Sequence, residues 1–556
     1  MKNSSSAAKH AVLHGGVPPE PLVSTLAEAL LRSAQLDGAG EIVYLGGTAI
    51  PRVQSYRDLL YDAARVLNGI REFGPSLGDQ VVIQLGDEPD LLAAFWACQL
   101  GGLIPVPVTA TPPPNSSLSA AELLAGVCGM LDNPWVIASG SVEAIGVPPA
   151  RCLGTLGELR AESPATDFHA AGPDDLAALL LTSGSTGLPK AVMLTHRNIL
   201  SRAHSTARVR ELSLLDRTFN WMPLDHVGGL IMFHARDVLV GCHQVHARMQ
   251  WVLEDPLRWL DAISKHECSV TWAPNFAFAL INDRTDQIAE RPWNLRHLRY
   301  IMNGGEAIKP RVIRRFLALL APFGLPSGTM HPGWGMSETS SGVVDCVFSM
   351  TGSSDDDRFV PVGSPHPGVS VRIVGEAGQV LREEEIGRLH VTGLPITSGY
   401  YGNDEENRRS FSDDGWFKTG DLAFISDGVL TVTGRVDDAI VINGVTYYGH
   451  EIESAVEELP FVEPSYTVAC DFGLVPGEAS SLAIVFHPRS GVASDRENWQ
   501  IVEHLAQRFG VTVSQVRPVR KEAVPKTGIG KIKRTQLARQ LIASAGRSAP
   551  GKQDEP

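Results

Sequence analysis

Two hydrophobic periods alternate along most of this chain. Short apolar runs bounded by turn residues, "VVIQL" (Val81 to Leu85), "WVIAS" (Trp135 to Ser139) and "LAALLL" (Leu176 to Leu181), have the length of buried strands. Between them lie helical stretches such as Leu91 to Leu100. In "STLAEALLRSA", Thr25 and Glu28 stand at the spacing of a capping box ahead of an apolar helix face. The alternation predicts an α/β fold with largely parallel sheets. From about Pro361 the texture changes to short strands and turns, "VRIVGEAGQVL", "GRLHVTG" and "GVLTVTGR", which predicts a β-rich region closing a large domain. After Arg435 a shorter segment has apolar runs of its own, "SLAIVFH" and "IVEHLAQRF". The expected layout is a flexible start (1–20), a large domain of α/β subdomains (21–436), a small C-terminal α+β domain (437–543) and a flexible tail (544–556).

Composition changes this picture in few places. At 556 residues the chain exceeds what one hydrophobic core supports. A net charge of -14 opposes binding to nucleic acid or to an anionic membrane, so small molecules or proteins are the expected partners. The stretch "LLAAFWACQLGGLIPVPV" is nearly of membrane length, but Gly101, Gly102, Pro105 and Pro107 interrupt it, and it reads as a buried helix running into a strand. The seven cysteines form no CxxC pair, and the start of the sequence lacks an apolar core of signal-peptide length. A reduced, cytoplasmic chain is expected.

Candidate chemistry is concentrated after the leucine run at 179–181. There Thr182, Ser183, Gly184, Ser185, Thr186, Gly187 and Lys190 follow a predicted strand. Glycines let backbone N–H groups approach an anion, hydroxyls donate hydrogen bonds, and a lysine adds charge, so the loop suits phosphate. It is not the GxxxxGK[ST] pattern, because Pro189 precedes Lys190 and Ala191 follows it, and a polar Gly-rich turn can equally be only a turn.

The full string "LTSGSTGLPKAVMLTH" resembles the signature loop of the AMP-forming adenylate ligases, a superfamily of acyl-CoA synthetases, luciferases, peptide-synthetase adenylation domains and fatty acyl-AMP ligases. Companion motifs follow in family order. "NGGEAI", with Gly304, Gly305 and Glu306, resembles the segment lining the adenine and acyl sites. "WGMSET", with Trp334, Gly335, Met336, Ser337 and Glu338, resembles the acidic motif in which Ser337 contacts phosphate and Glu338 holds magnesium. "FKTGDLAF" resembles the ribose motif, implying that Asp421 accepts from the sugar hydroxyls with help from Arg435. Asp437 occupies the hinge position about which the small domain turns. "VPKTGIGKIKR" resembles the C-terminal catalytic motif, with Lys531 bridging acid and α-phosphate. A well-placed charged donor of this kind is worth about 3 kcal/mol in the transition state. The resemblance runs from roughly Leu26 to Leu541 and implies ATP and Mg2+ as cofactors and a carboxylic acid as substrate.

"WMPLDHVGGLIMFH" and "TWAPNFAFALI" supply the expected acyl walls: His226 beside the acyl group, Gly228 and Gly229 leaving room, and Trp272, Phe276 and Met336 making an apolar surface that fits an aliphatic or aromatic acid. Asp225 is expected to cap or face the backbone, although amino-acid-activating relatives use an aspartate nearby to hold the substrate ammonium. Cys242, His243 and His246 are read as strand and turn residues rather than metal ligands. Acyl-CoA synthetases commonly carry a lysine where Val441 stands. The apolar Val441 with Gly444 follows the style of fatty acyl-AMP ligases, whose thiol acceptor is a carrier protein. The expected reaction is adenylation of a fatty or other apolar acid and transfer to a separate acyl carrier protein. Free CoA as acceptor and an amino acid as substrate stand as alternatives.

Overall fold

The computed structural model describes residues 9–48, 50–112, 118–131, 133–139, 151–182, 189–442, 445–471, 482–527, 532–534 and 536–540. Contacts divide the chain into two units. One holds the described residues of Met1–Pro112, Leu118–Thr419 and Ala423–Val432, and the other those of Gly420–Leu422 and Thr433–Pro556.

The first unit is built on a nine-stranded sheet. Six neighbouring strands, Met330–Met336, Tyr300–Asn303, Val270–Ala273, Arg217–Asn220, His243–Ala247 and Glu41–Leu45, run parallel. Antiparallel strands close both edges. A second, wholly parallel sheet consists of Ile104–Pro107, Gln80–Gln84, Trp135–Ala138 and Arg151–Gly154. The helix Glu88–Gly101 that feeds it is buried at every position from Leu91 to Leu100, which is why its sequence is apolar all round. Gly102 ends it with a left-handed φ of 69°, freeing the chain to turn into the Ile104–Pro107 strand. Among the described residues no helix is long and apolar enough to cross a membrane.

Thr25 caps the helix Leu26–Gln35, accepting from the Glu28 amide at 3.2 Å. The return bond from the Glu28 carboxylate reaches the Ser24 amide at 2.7 Å, one residue before the capping position. The chain start departs from expectation. Val12–His14 is a strand that pairs antiparallel with Val369–Val374 at the edge of a five-stranded sheet, because its alternating residues find an open ladder there. That sheet, with Gly387–Gly393, Phe417–Ser426 and Val429–Arg435, is the β-rich region expected after Pro361. The second unit contains a three-stranded sheet of Val462–Asp471, Leu482–Pro488 and Val513–Pro518, the helices Gly449–Val456 and Asp495–Phe509, and the hairpin Ala439–Ile442 with Val445–Tyr448.

Several histidines are buried in the first unit. Burial holds His234 down to about 4, and burial with the Arg202 and Arg210 charges holds His366 down to about 3. Unfolding exposes them to water, where they take up protons near pH 6.5, whereas the fold keeps them neutral. Stability is therefore full above pH 6.5 and is lost as pH falls from there toward 4, by about 1.4 kcal/mol per pH unit for each such histidine. Denaturant midpoints measured between pH 8 and 4.5 are expected to fall in that window. A flat profile would remove the buried histidines as its cause.

Candidate active site

The strands Leu176–Thr182 and Lys190–Thr195 pair antiparallel with Thr182 opposite Lys190, so the phosphate-loop candidates are anchored at both ends of one hairpin. Ser183, Gly184, Ser185, Thr186 and Gly187 lie outside the described residues. The Gly399–Tyr401 segment adds to the outer edge of this hairpin: Met193 N donates to Gly399 O at 3.0 Å and Tyr401 N to Ala191 O at 2.9 Å. Tyr400 is thereby placed between two candidates. The Lys190 ammonium lies 4.9 Å from its ring centroid, and its hydroxyl donates to Glu338 Oε1 at 2.7 Å. Burial and the Glu338 carboxylate push the Tyr400 hydroxyl well above its ordinary range, so it stays a donor. Lys190 also forms an ion pair with Glu406.

Glu338 is buried on a single turn, Ser337–Thr339, that reverses the chain between Met330–Met336 and Ser341–Asp345. Thr339 Oγ1 accepts from Met336 N at 2.9 Å and donates to Ser341 O at 2.6 Å. Thr397 N bonds the Glu338 carbonyl at 2.8 Å. Ser340 and Ser341 have φ of 54° and 103°, a conformation that non-glycine residues keep only where the surroundings over-determine it. Gly335 is required by close approach, since a Cβ there would sit 2.1 Å from Ser341 O. A buried carboxylate joined through Tyr400 to the Lys190 strand is a donor of the kind that suits Mg2+ carried on nucleotide phosphates.

The carboxyl ends of the parallel strands bring the remaining candidates together, where open α/β sheets form their crevices. Glu306 Oε1 accepts from Phe276 N at 2.6 Å, joining "NGGEAI" to the wall after Val270–Ala273. Gly304 packs against the backbone of Gly333, with 2.7 Å from a would-be Cβ to its carbonyl oxygen, and Gly305 takes a φ of 86°. Trp334 is buried in the same layer. His226 Nδ1 accepts from Gly228 N at 3.1 Å. Gly228 faces Trp272, whose Cζ2 lies 2.3 Å from where a Cβ would stand, and Gly229 packs on the Pro223 carbonyl. Met302 was not anticipated: its Cε lies against Gly333 and Gly342, 2.9 and 2.4 Å from their would-be Cβ positions. Its place just before "NGGEAI" was the available signal. Phe276 and Met336 are half-buried. Asp225 is half-buried and hydrogen-bonded to the Thr109 side chain, with burial raising its carboxyl above the ordinary value.

In the second unit Asp421 and Arg435 lie 3.6 Å apart, beside Gly420 at φ 77°. Asp437 sits in the turn Val436–Asp438, and Val441 is half-exposed on its hairpin, opposite Thr446. Gly444 and Lys531 lie outside the described residues. Arg534 holds Glu453 with two bonds of 2.7 and 2.6 Å, and Lys521 holds Glu463 at 2.6 Å, so these two bases serve the unit's own packing.

The model of the AMP-binding enzyme family matches residues 41–401, and the chain belongs to that family of adenylate-forming ligases, which use ATP and Mg2+. It is 37% identical to the structure of McyG A-PCP complexed with phenylalanyl-adenylate, covering 97% of this chain and 86% of that one with a TM-score of 0.90. It is 34% identical to the adenylation domain of a keto acid-selecting peptide-synthetase module bound to keto acyl adenylate (TM-score 0.74; 92% and 100% covered). The nonribosomal peptide synthetase apvA of Aspergillus terreus (strain NIH 2624 / FGSC A1156) is 30% identical over 531 residues, 92% of this chain and 57% of that protein. The chain thus spans little more than half the length of the curated relatives it matches. ATP-dependent adenylation of a carboxylic acid is its chemistry.

Proposed function

We propose that the acid is compact and apolar, an aryl or branched acid carrying a 2-keto group, and that its acyl-AMP is passed to the phosphopantetheine thiol of a carrier protein. The observation that carries this reading is the acid wall. Trp272 packed on Gly228, and Met302 packed on Gly333 and Gly342, are bulky buried side chains at the carboxyl ends of the strands that carry the acid-site candidates, which supports a site for a short side chain rather than a long one. Asp225, whose carboxyl is raised above its ordinary value by burial, already has a hydrogen-bond partner in the Thr109 side chain, which supports a role within the protein rather than on a substrate ammonium. The bound keto acyl adenylate of a relative at 34% identity supports the same class.

In this reading the acid carboxylate attacks the α-phosphorus of ATP, the bond to pyrophosphate breaks, and acyl-AMP forms. Lys190 and the loop after Thr182 hold phosphate oxygens and Lys531 bridges the two reacting anions; Glu338 would hold the Mg2+ ion, which when bound would offset charge on the departing pyrophosphate. Asp421 and Arg435 hold the ribose. The small domain, 437–543, then turns at Asp437 and presents the Val441 hairpin to the thiol.

Acid-dependent ATP–pyrophosphate exchange with phenylpyruvate, phenylalanine, a branched 2-keto acid and octanoate tests the substrate class. Mass analysis after adding CoA or a holo carrier protein then tests the acceptor. Strongest exchange with a 2-keto acid and thioester on the carrier alone are the expected results. Exchange with octanoate alone would return the fatty-acid reading, exchange requiring an ammonium would assign Asp225 to it, and efficient acyl-CoA formation would make the protein a CoA ligase.

A further inference from the structure

Behind Trp272 runs a chain of buried polar side chains for which adenylation has no use. Trp272 Nε1 donates to Asn220 Oδ1 at 3.4 Å, and Asn220 Nδ2 lies 3.1 Å from His246 Nδ1. His246 Nε2 and His234 Nδ1 each lie 2.8 Å from Gln244 Oε1, and His234 Nε2 lies 2.8 Å from Trp96 Nε1. None of these six side chains belongs to a residue more than 4% exposed. The sheet register builds the row: Asn220 is the strand partner of His246, and Gln244 and His246 share one face of the His243–Ala247 strand.

The two tryptophans set every proton in the row. An indole only donates, so His234 Nε2 accepts from Trp96 and its Nδ1–H donates to Gln244. The Gln244 amide is oriented by its own donation to Tyr56 Oη at 2.8 Å, which leaves Oε1 to accept from His246 Nε2–H. His246 Nδ1 then accepts from the Asn220 amide, and Asn220 Oδ1 faces Trp272 and the Met222 amide, the latter at 3.2 Å. At its far end the row holds the indole whose benzo ring, next to the Nε1 edge, meets Gly228. Turning that ring would take the buried indole N–H away from Asn220 Oδ1 and drive the ring against Gly228, so the row favours one ring orientation.

We propose that Asn220, His246, Gln244 and His234 are positioning residues for acid selection, holding the Trp272 indole as a rigid wall of the acid site. The proposal rests on the pocket assignment above. Asn220→Ala is expected to raise KM for the preferred acid about tenfold and to narrow the preference between compact and longer acids, with KM for ATP within about twofold of wild type. In a Trp272→Phe background, where the N–H is already gone, the same substitution is expected to add nothing. Unchanged acid KM and ranking in folded Asn220→Ala, or full additivity with Trp272→Phe, would overturn the proposal. If Asn220→Ala does not fold, replacing Trp272 by 3-benzothienylalanine decides: it keeps the bicyclic ring and loses only the N–H donor, so an unaltered acid ranking would overturn the role and an altered one would support it. Wild-type protein that exchanges with no acid in the panel would instead sink the substrate reading, leaving the two failures distinguishable.

Discussion

Glu338→Gln is expected to lower acid-dependent pyrophosphate exchange by about two to three orders of magnitude with little loss of stability. The argument is geometric and electrostatic. Glu338 is buried, receives the Tyr400 hydroxyl at 2.7 Å, and is held by a turn whose hydrogen bonds come from Thr339 and Thr397 rather than from its own carboxylate. An amide keeps the shape and can still accept from Tyr400, but it removes the negative charge that a hard cation needs. The apparent requirement for Mg2+ should rise, and high Mg2+ should restore part of the rate. Full exchange at ordinary Mg2+, with the unfolding midpoint unchanged, would remove Glu338 from the metal site.

The second large effect falls on the same half-reaction and leaves the other largely untouched. Lys531→Ala should reduce acyl-AMP formation by a factor on the order of a hundred to a thousand while largely sparing thioester formation from supplied acyl-AMP. Two anions, carboxylate and α-phosphate, must meet in the first step, and an ammonium touching both offsets the charge that builds up between them. In the second step a thiol attacks an acyl-adenylate and that need is gone. Comparing the two half-reactions in one variant separates catalysis from folding, because a misfolded protein fails at both. Equal loss in the two halves would refute the assignment.

Several elements could be read from the sequence because their information is local. The helix start at Thr25, the all-buried helix over Leu91 to Leu100 ending at Gly102, and the strands at Val81, Trp135 and Leu176 depend on periods and caps spanning a few residues. Motif residues such as Glu338 and Lys190 were visible as strings, yet nothing in either string shows that Tyr400 lies between them. Tyr400 comes from a segment far along the chain that joins the edge of the Lys190–Thr195 strand, and such a pairing leaves no periodic mark. The Val12–His14 strand was missed for a related reason: a short strand at a sheet edge is stabilised by its neighbour's open ladder, not by its own composition.

The sequence by itself determined the α/β class and, through the resemblance of its motifs, the adenylation chemistry, and it supplied the candidate charged groups, because such motifs are short strings of particular residue types. Tertiary structure alone decided how those candidates are held and which side chains pack around them. Trp272 is an ordinary core aromatic until the parallel register sets Asn220 and His246 behind it and Gly228 in front. Met302 becomes a wall only where two glycines approach it from other strands. These contacts join residues remote in the chain, and their strength depends on burial that no local pattern specifies.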